Sequence, residues 1–181
     1  FCLSRGLGDV YKRQVYLCTE DFTKAEEEYL KVLERKELGY HLYCRVVLGT
    51  LNLLQGKFEE GKQQHKQGLE LAQKLGDKWW RICFHTMLAY NYLKSGRPAD
   101  VLKECDMALK LAPDSDDALS WQRGTLYYKG RAFVAMNSIE DAKKTANEIK
   151  ELVDKGTSKN EIRLYHHLMG LVELEKKDYG R

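Results

Sequence analysis

A chain of 181 residues with 30 Lys and Arg against 27 Asp and Glu, and with 43% hydrophobic residues, can bury a core and carries no large excess of either charge. Both signs are interspersed along its length, which excludes the clustered basic face that nucleic-acid phosphates require, and no apolar run is long enough to cross a bilayer. Its cysteines, Cys2, Cys18, Cys44, Cys83 and Cys105, stand singly, without the paired spacing of a zinc site or the density of a disulfide framework. They read as small buried hydrophobes in a reducing cytoplasm.

Residues 4–14, SRGLGDVYKRQ, contain a Gly-x-Gly beside basic residues. No strand-like run precedes it, and the further glycine and lysine of a phosphate loop are missing. Read back into codons, the same stretch matches a transposase adapter used in preparing sequencing libraries. Residues 1–14 are therefore expected to be adapter read-through, with the authentic chain starting near Val15. Setting them aside removes Arg5, Lys12, Arg13 and Asp9 and lowers the formal charge of +3 by two. No secretory leader follows, and the true N-terminus is expected to be missing, so the cytoplasmic expectation rests on cysteine use.

From there on, apolar residues recur at three- and four-residue spacing, which predicts helix throughout, and strand alternation is absent. Breaks fall at LQGKF (54–58), KLGDK (74–78), KSGRP (94–98), APDSDD (112–117), AMNSI (135–139), DKGTS (154–158) and EKKDY (175–179). Pro98, one of two prolines with Pro113, sits where the first turn of a helix tolerates a missing N–H. Ser138 with Asp141, and Ser158 with Glu161, have the spacing of capping boxes.

The breaks are periodic. Gly56, Gly96, Asn137 and Lys177 each close the first helix of a pair and are separated by 40, 41 and 40 residues, with Glu20 in the same phase. Two residues after each marker stands Phe22, Phe58, Pro98, Ile139 or Tyr179, and three further on Ala25, Gly61, Val101 or Ala142. Seven before each of the later markers stands Gly49, Ala89, Gly130 or Gly170, where antiparallel helices must approach closely. At these positions the chain resembles the tetratricopeptide repeat family, in EDFTKAEEEYLKVL (20–33), QGKFEEGKQQHKQGLEL (55–71), SGRPADVLKECDMALKLAP (95–113) and KKDY (176–179). The copies run longer than the family's roughly thirty-four residues. Gly61 and Gly68 replace alanines, and only the third copy keeps the terminal proline.

The resemblance implies an all-α fold, an α-solenoid of antiparallel helix pairs forming a right-handed superhelix. The predicted units are a partial first repeat at 15–37, repeats at 38–76, 77–115 and 116–156, and a partial last repeat at 157–181. Both ends are expected to be cut, making the chain a fragment of a larger protein. In the family the leading helix of each pair lines a concave groove. By phase, the inward positions are Tyr43, Val46, Thr50 and Leu53; Cys83, Thr86, Tyr90 and Leu93; Gly124, Tyr127, Arg131 and Val134; and Leu164, His167, Leu171 and Leu174. They lack the lysine, asparagine and arginine set with which relatives clamp the terminal carboxylates of chaperones. A lining with tyrosines and one arginine suits a helical or extended peptide with apolar anchors. The same tyrosines at helical spacing also read as packing between pairs. Trp79 and Trp80 read as a helix-to-helix staple sooner than a stacking platform.

No catalytic constellation is predicted. His166 and His167 are adjacent and point to different faces, so they cannot chelate one metal. His41 with Cys44, and Cys83 with His85, lack a group to orient them. The expected function is a protein- or peptide-binding scaffold without catalysis, cofactor or metal, with no nucleic-acid or membrane partner. The alternative is the regulatory or sensory segment of a signalling protein, a kinase or transcription regulator, whose effector part lies outside this chain.

Overall fold

The computed structural model describes residues 21–34, 38–112 and 116–175, leaving out the side chains of 116–118. The adapter-like stretch, Cys2, Cys18, Glu20, Pro113, Lys177 and Tyr179 lie outside the described residues. The fold is all-α: α1 (Phe22–Leu33), α2 (Leu38–Leu54), α3 (Phe58–Lys74), α4 (Lys78–Lys94), α5 (Pro98–Leu111), α6 (Asp116–Ala135), α7 (Ile139–Lys155) and α8 (Ile162–Glu175), with a 3-10 turn at Lys159–Glu161. Among the described residues there is no strand, and no helix is long and apolar enough to cross a membrane.

The predicted markers share one backbone solution. Gly56, Gly96 and Asn137 adopt left-handed φ values of 75°, 68° and 57°. At Gly56 the N–H donates to the Leu53 carbonyl at 3.1 Å, and the next N–H, of Lys57, donates to Asn52 at 2.8 Å. Gly96 and Arg97 repeat this on Leu93 and Tyr92, and Asn137 and Ser138 on Val134 and Phe133. Each leading helix, α2, α4 and α6, thus ends in the same Schellman turn, which satisfies its last carbonyls and reverses the chain into the trailing helix. Only glycine, or asparagine at some cost, enters this conformation readily.

The chain divides into two compact units, Phe1–Leu71 and Ala72–Arg181. In the first, α1 lays Ala25, Tyr29 and Val32 against Cys44, Leu48 and Leu51 of α2. On its other side α2 meets α3. Gly49 faces the buried His65 ring, whose atoms fill the place a side chain at 49 would take, and the Arg45 guanidinium donates to Gln64 Oε1.

In the second unit α4 packs on α5, α5 on α6, α6 on α7 and α7 on α8, while α4 also packs on α6 and α6 on α8. Each leading helix therefore touches both its own trailing helix and the next leading helix, the solenoid order of nearest-neighbour stacking. The sequence pattern follows from this. Trailing α5 buries one stripe, Val101, Cys105 and Ala108, and trailing α7 buries Ala142, Thr145, Ala146, Ile149 and Val153. Leading α4 is enclosed from two directions and buries Ile82, Cys83, Phe84, His85, Thr86, Leu88, Ala89, Asn91 and Tyr92. Further along, Gly130 of α6 is filled by Leu168 of α8. Gly170, expected to mark the same close approach, meets nothing within 4 Å.

Pro98 opens α5 as expected, but neither capping box forms. Ser138 and Ser158 make no side-chain cap bond. Glu161 is drawn instead to Arg123 of α6, whose side chain is 2% exposed, and it also accepts from Ser120 at 2.8 Å. A buried guanidinium without a carboxylate costs several kcal/mol, far more than the ~1 kcal/mol of a cap, so the ion pair takes precedence. Arg123 also donates to the Leu152 carbonyl at 3.0 Å, and Gly156 stays bare because a Cβ there would stand 2.8 Å from the guanidinium. The side-chain caps that do form are Asp21, accepting from the Lys24 N–H, and Asp77, accepting from the Trp80 N–H.

Three outcomes follow for stability. Gly49→Ala should cost about 1–3 kcal/mol in denaturant unfolding, because the His65 ring is fully buried and cannot step aside. Glu161→Ala should cost about 3–5 kcal/mol by stranding Arg123; a loss below about 1 kcal/mol would mean the charge finds water. Burial pushes the His65 imidazole down to about 4, so the unfolded chain takes up its proton first as pH falls. Stability should be full above about pH 6.5 and decline by up to roughly 3 kcal/mol toward pH 4. His65→Leu should remove that part of the slope.

Candidate functional site

The sequence-predicted groove positions separate into three groups. Leu53 and Thr86 are 7% and 2% exposed and cannot be offered to a partner, nor can Cys83. Thr86 is claimed by the seam between α4 and α6: its hydroxyl lies 3.0 Å from the Ile82 carbonyl oxygen and 2.9 Å from Thr125 Oγ1. Helical phase gives the direction of a side chain but not its depth, and a short residue stays within the seam. Val134 and Leu164 are partly buried against the core of Leu126, Ala146, Ile149, Val153 and Leu168.

Of the positions in the first unit, Tyr43 is 44% exposed with its ring tilted 6.3 Å from that of Tyr29. Thr50 bonds back to the Val46 carbonyl at 2.9 Å, and both residues are half-buried.

The second unit gathers the rest into a continuous strip. Tyr90 of α4 lies 5.4 Å from Tyr128 of α6, Tyr128 lies 5.7 Å from Tyr127, and Tyr127 lies 5.6 Å from His167 of α8. The Tyr127 hydroxyl and His167 Nδ1 are 2.9 Å apart. Lys94 sits over the Tyr90 ring and Arg131 over the Tyr127 ring, each at 5.6 Å. Leu93 and Leu171 are half-buried beside these rings on α4 and α8. Toward the starts of α4 and α6, Trp79 meets Trp80 at 4.8 Å and Trp121 at 5.5 Å, edge to face in both cases. Trp79 is thus both a staple and, at 50% exposure, an open surface.

Two members of this strip escape a reading by phase alone. Tyr128 stands next to Tyr127, and only the contact with Tyr90 shows that both rings serve the same face. Burial, reinforced by Tyr90 and Tyr127, pushes the Tyr128 phenol up to about 12, so it remains a neutral hydroxyl at physiological pH. Trp121 is isolated in the sequence, and its signal is its distance from the Trp79–Trp80 pair in the repeat frame, about one copy later.

Burial pushes the thiols of Cys83 and Cys105 up to about 12, and the Cys105 Sγ lies 3.4 Å from the Thr125 carbonyl. His85 faces Glu104 of α5 at 2.7 Å inside the α4–α5 seam, turned to the core and not toward a cleft. Among the described residues no group of three or more His, Cys, Asp or Glu is arranged to hold a metal ion. No family model matches the chain, and no curated protein matches it.

Alkylation of the native protein, mapped by peptide mass, should leave Cys83 and Cys105 unmodified at pH 8 and modify both once denaturant is added. Rapid native labelling at either would show that the α4–α5 seam opens.

Proposed function

We propose that the chain is a protein- or peptide-binding scaffold of the tetratricopeptide kind, which docks a partner segment on its leading helices. The observation that carries this reading is the aromatic strip of Tyr90, Tyr128, Tyr127 and His167, which passes across three successive leading helices without being closed into the core. Tyrosine, tryptophan and arginine are the side chains that supply most binding energy at protein interfaces, since they offer large rigid area together with a polar end. The repeated Schellman turns and the alternation of singly and doubly buried helices support the repeat assignment. The partner is a protein or peptide segment; binding, with no chemical step, is the activity.

A peptide array probed with the protein should return ligands whose binding is reduced at least about tenfold by the pair Tyr90→Ala and Tyr127→Ala, with unchanged helical content. Ligands that bind this pair as well as they bind the unaltered chain would place recognition elsewhere and overturn the reading.

A further inference from the structure

Glycines inside the helices of the second unit are not alike. A side chain at Gly130 would overlap Leu168, so the missing atoms there are used by packing. Gly124, one turn and a half earlier on the same helix, is half-buried, yet a Cβ on it meets nothing within 4 Å. A glycine inside a helix costs about 0.5–1 kcal/mol relative to alanine, and at 124 no internal contact offsets that cost. Gly39 and Gly170 are also open, but neither is bracketed by ring pairs from two helices.

Gly124 is. Trp121 stands three residues before it and Tyr128 four after, so all three share one face of α6. Trp121 is joined across to Trp79 of α4, and Tyr128 to Tyr90 of α4. At 1.5 Å per residue the two rings of α6 are about 10 Å apart along the axis. Below the gap the seam is shut by Thr86 and Thr125. The result is a notch with bare backbone for a floor and an aromatic pair at each end.

Charge is unevenly shared between the helices. Leading α4 carries no Asp or Glu, and those of α6 and α8 stand only at the helix ends, Asp116, Asp117, Glu173 and Glu175, whereas trailing α5 and α7 carry Asp100, Glu104, Asp106, Glu140, Asp141, Glu148, Glu151 and Asp154 along their length. Lys129 is paired with Asp106 and Arg123 with Glu161. Lys94 and Arg131 have a tyrosine ring beneath them and no ion pair among the described residues. Building on the docking reading above, we propose that the Gly124 notch is a pocket for one leucine- or proline-sized anchor of an extended acidic peptide whose side-chain carboxylates run toward Lys94 and Arg131.

The anchor gains by filling a gap that the protein leaves unpacked, and the aromatic pairs supply the walls on which aliphatic or proline rings lie well. Carboxylates of the ligand meet two cations on stretches, 78–94 and 119–135, that hold no Asp or Glu to repel them. A single-stranded nucleic acid fits less well. The interplanar angles of 79° for Trp79 and Trp121 and of 63° for Tyr127 and His167 turn the rings edge-on to one another, whereas base stacking needs open parallel faces.

Of the three tryptophans of the chain, Trp79 and Trp121 border the notch and Trp80 touches Trp79, so intrinsic fluorescence reads occupancy. The unaltered protein is titrated with a pool of short synthetic peptides alternating Asp or Glu with Leu or Pro, with the matching Lys and Arg pool, and with oligouridine. The acidic pool is expected to shift tryptophan emission and to bind about tenfold or more tightly than the basic pool. Gly124→Leu is expected to weaken the acidic peptides at least about tenfold by occupying the notch itself. Gly124→Ala, which fills less space, should raise the melting temperature while weakening binding partly. Lys94→Glu with Arg131→Glu should reverse the order of the two pools. Equal binding of both pools, undiminished binding by both Gly124 variants, or oligouridine alone shifting the emission would overturn the proposal. Array ligands lost on Tyr90→Ala with Tyr127→Ala, yet indifferent to residue 124 and to the charge reversals, would overturn the pocket and leave the docking reading standing.

Discussion

The structure depends on the way each leading helix is stopped. Gly56, Gly96 and Asn137 take the same left-handed conformation and make the same two backbone hydrogen bonds. Those bonds fix the angle at which the chain returns, and that angle decides which residues of the trailing helix face back. From this follow the single buried stripes of α5 and α7 and the burial of α4 from two directions. In the second unit the leading helices then lie side by side, and their outer surfaces form a face on which rings from three helices touch.

Much of this architecture was legible in the residues. Periodic apolar spacing identified the helices, and the recurrence of glycine and asparagine about every forty residues identified their ends, because few residue types tolerate a positive φ. Gly49 and Gly130 were legible as points of close approach for a different reason, since only a residue without a side chain leaves room for His65 and Leu168 there. The capping box at Ser138 does not form, and that at Ser158 was not legible because a local motif competes with partners it cannot anticipate. Glu161 belongs to Arg123, 38 residues away, and nothing near either residue announces that pairing.

The groove positions read by phase share a direction but differ in depth. Tyr90, Tyr127, Arg131 and His167 share a face as the phase implied, and their contacts follow the repeat spacing. Leu53 and Thr86 have the right direction but are buried, because burial depends on the size of neighbouring side chains as well as on angle. Trp121 and Tyr128 lie three residues before and four after Gly124 on the same face of α6, at positions that the copy-by-copy alignment did not single out. Polar contacts between leading and trailing helices show the repeat once more. Arg45 with Gln64 and His85 with Glu104 occupy matching places one copy apart, though no two of these residues are alike.

The self-contained turn has an evolutionary consequence. Because each hairpin closes with its own backbone bonds and rests on its neighbours alone, a block of about forty residues can be duplicated, deleted or exchanged without redesign of a shared centre. Lineages built from such blocks can lengthen by copying and diversify by altering outward side chains one block at a time. Asn137, standing where two other copies have glycine, keeps the same left-handed turn, so a block with asparagine at this position holds the same geometry.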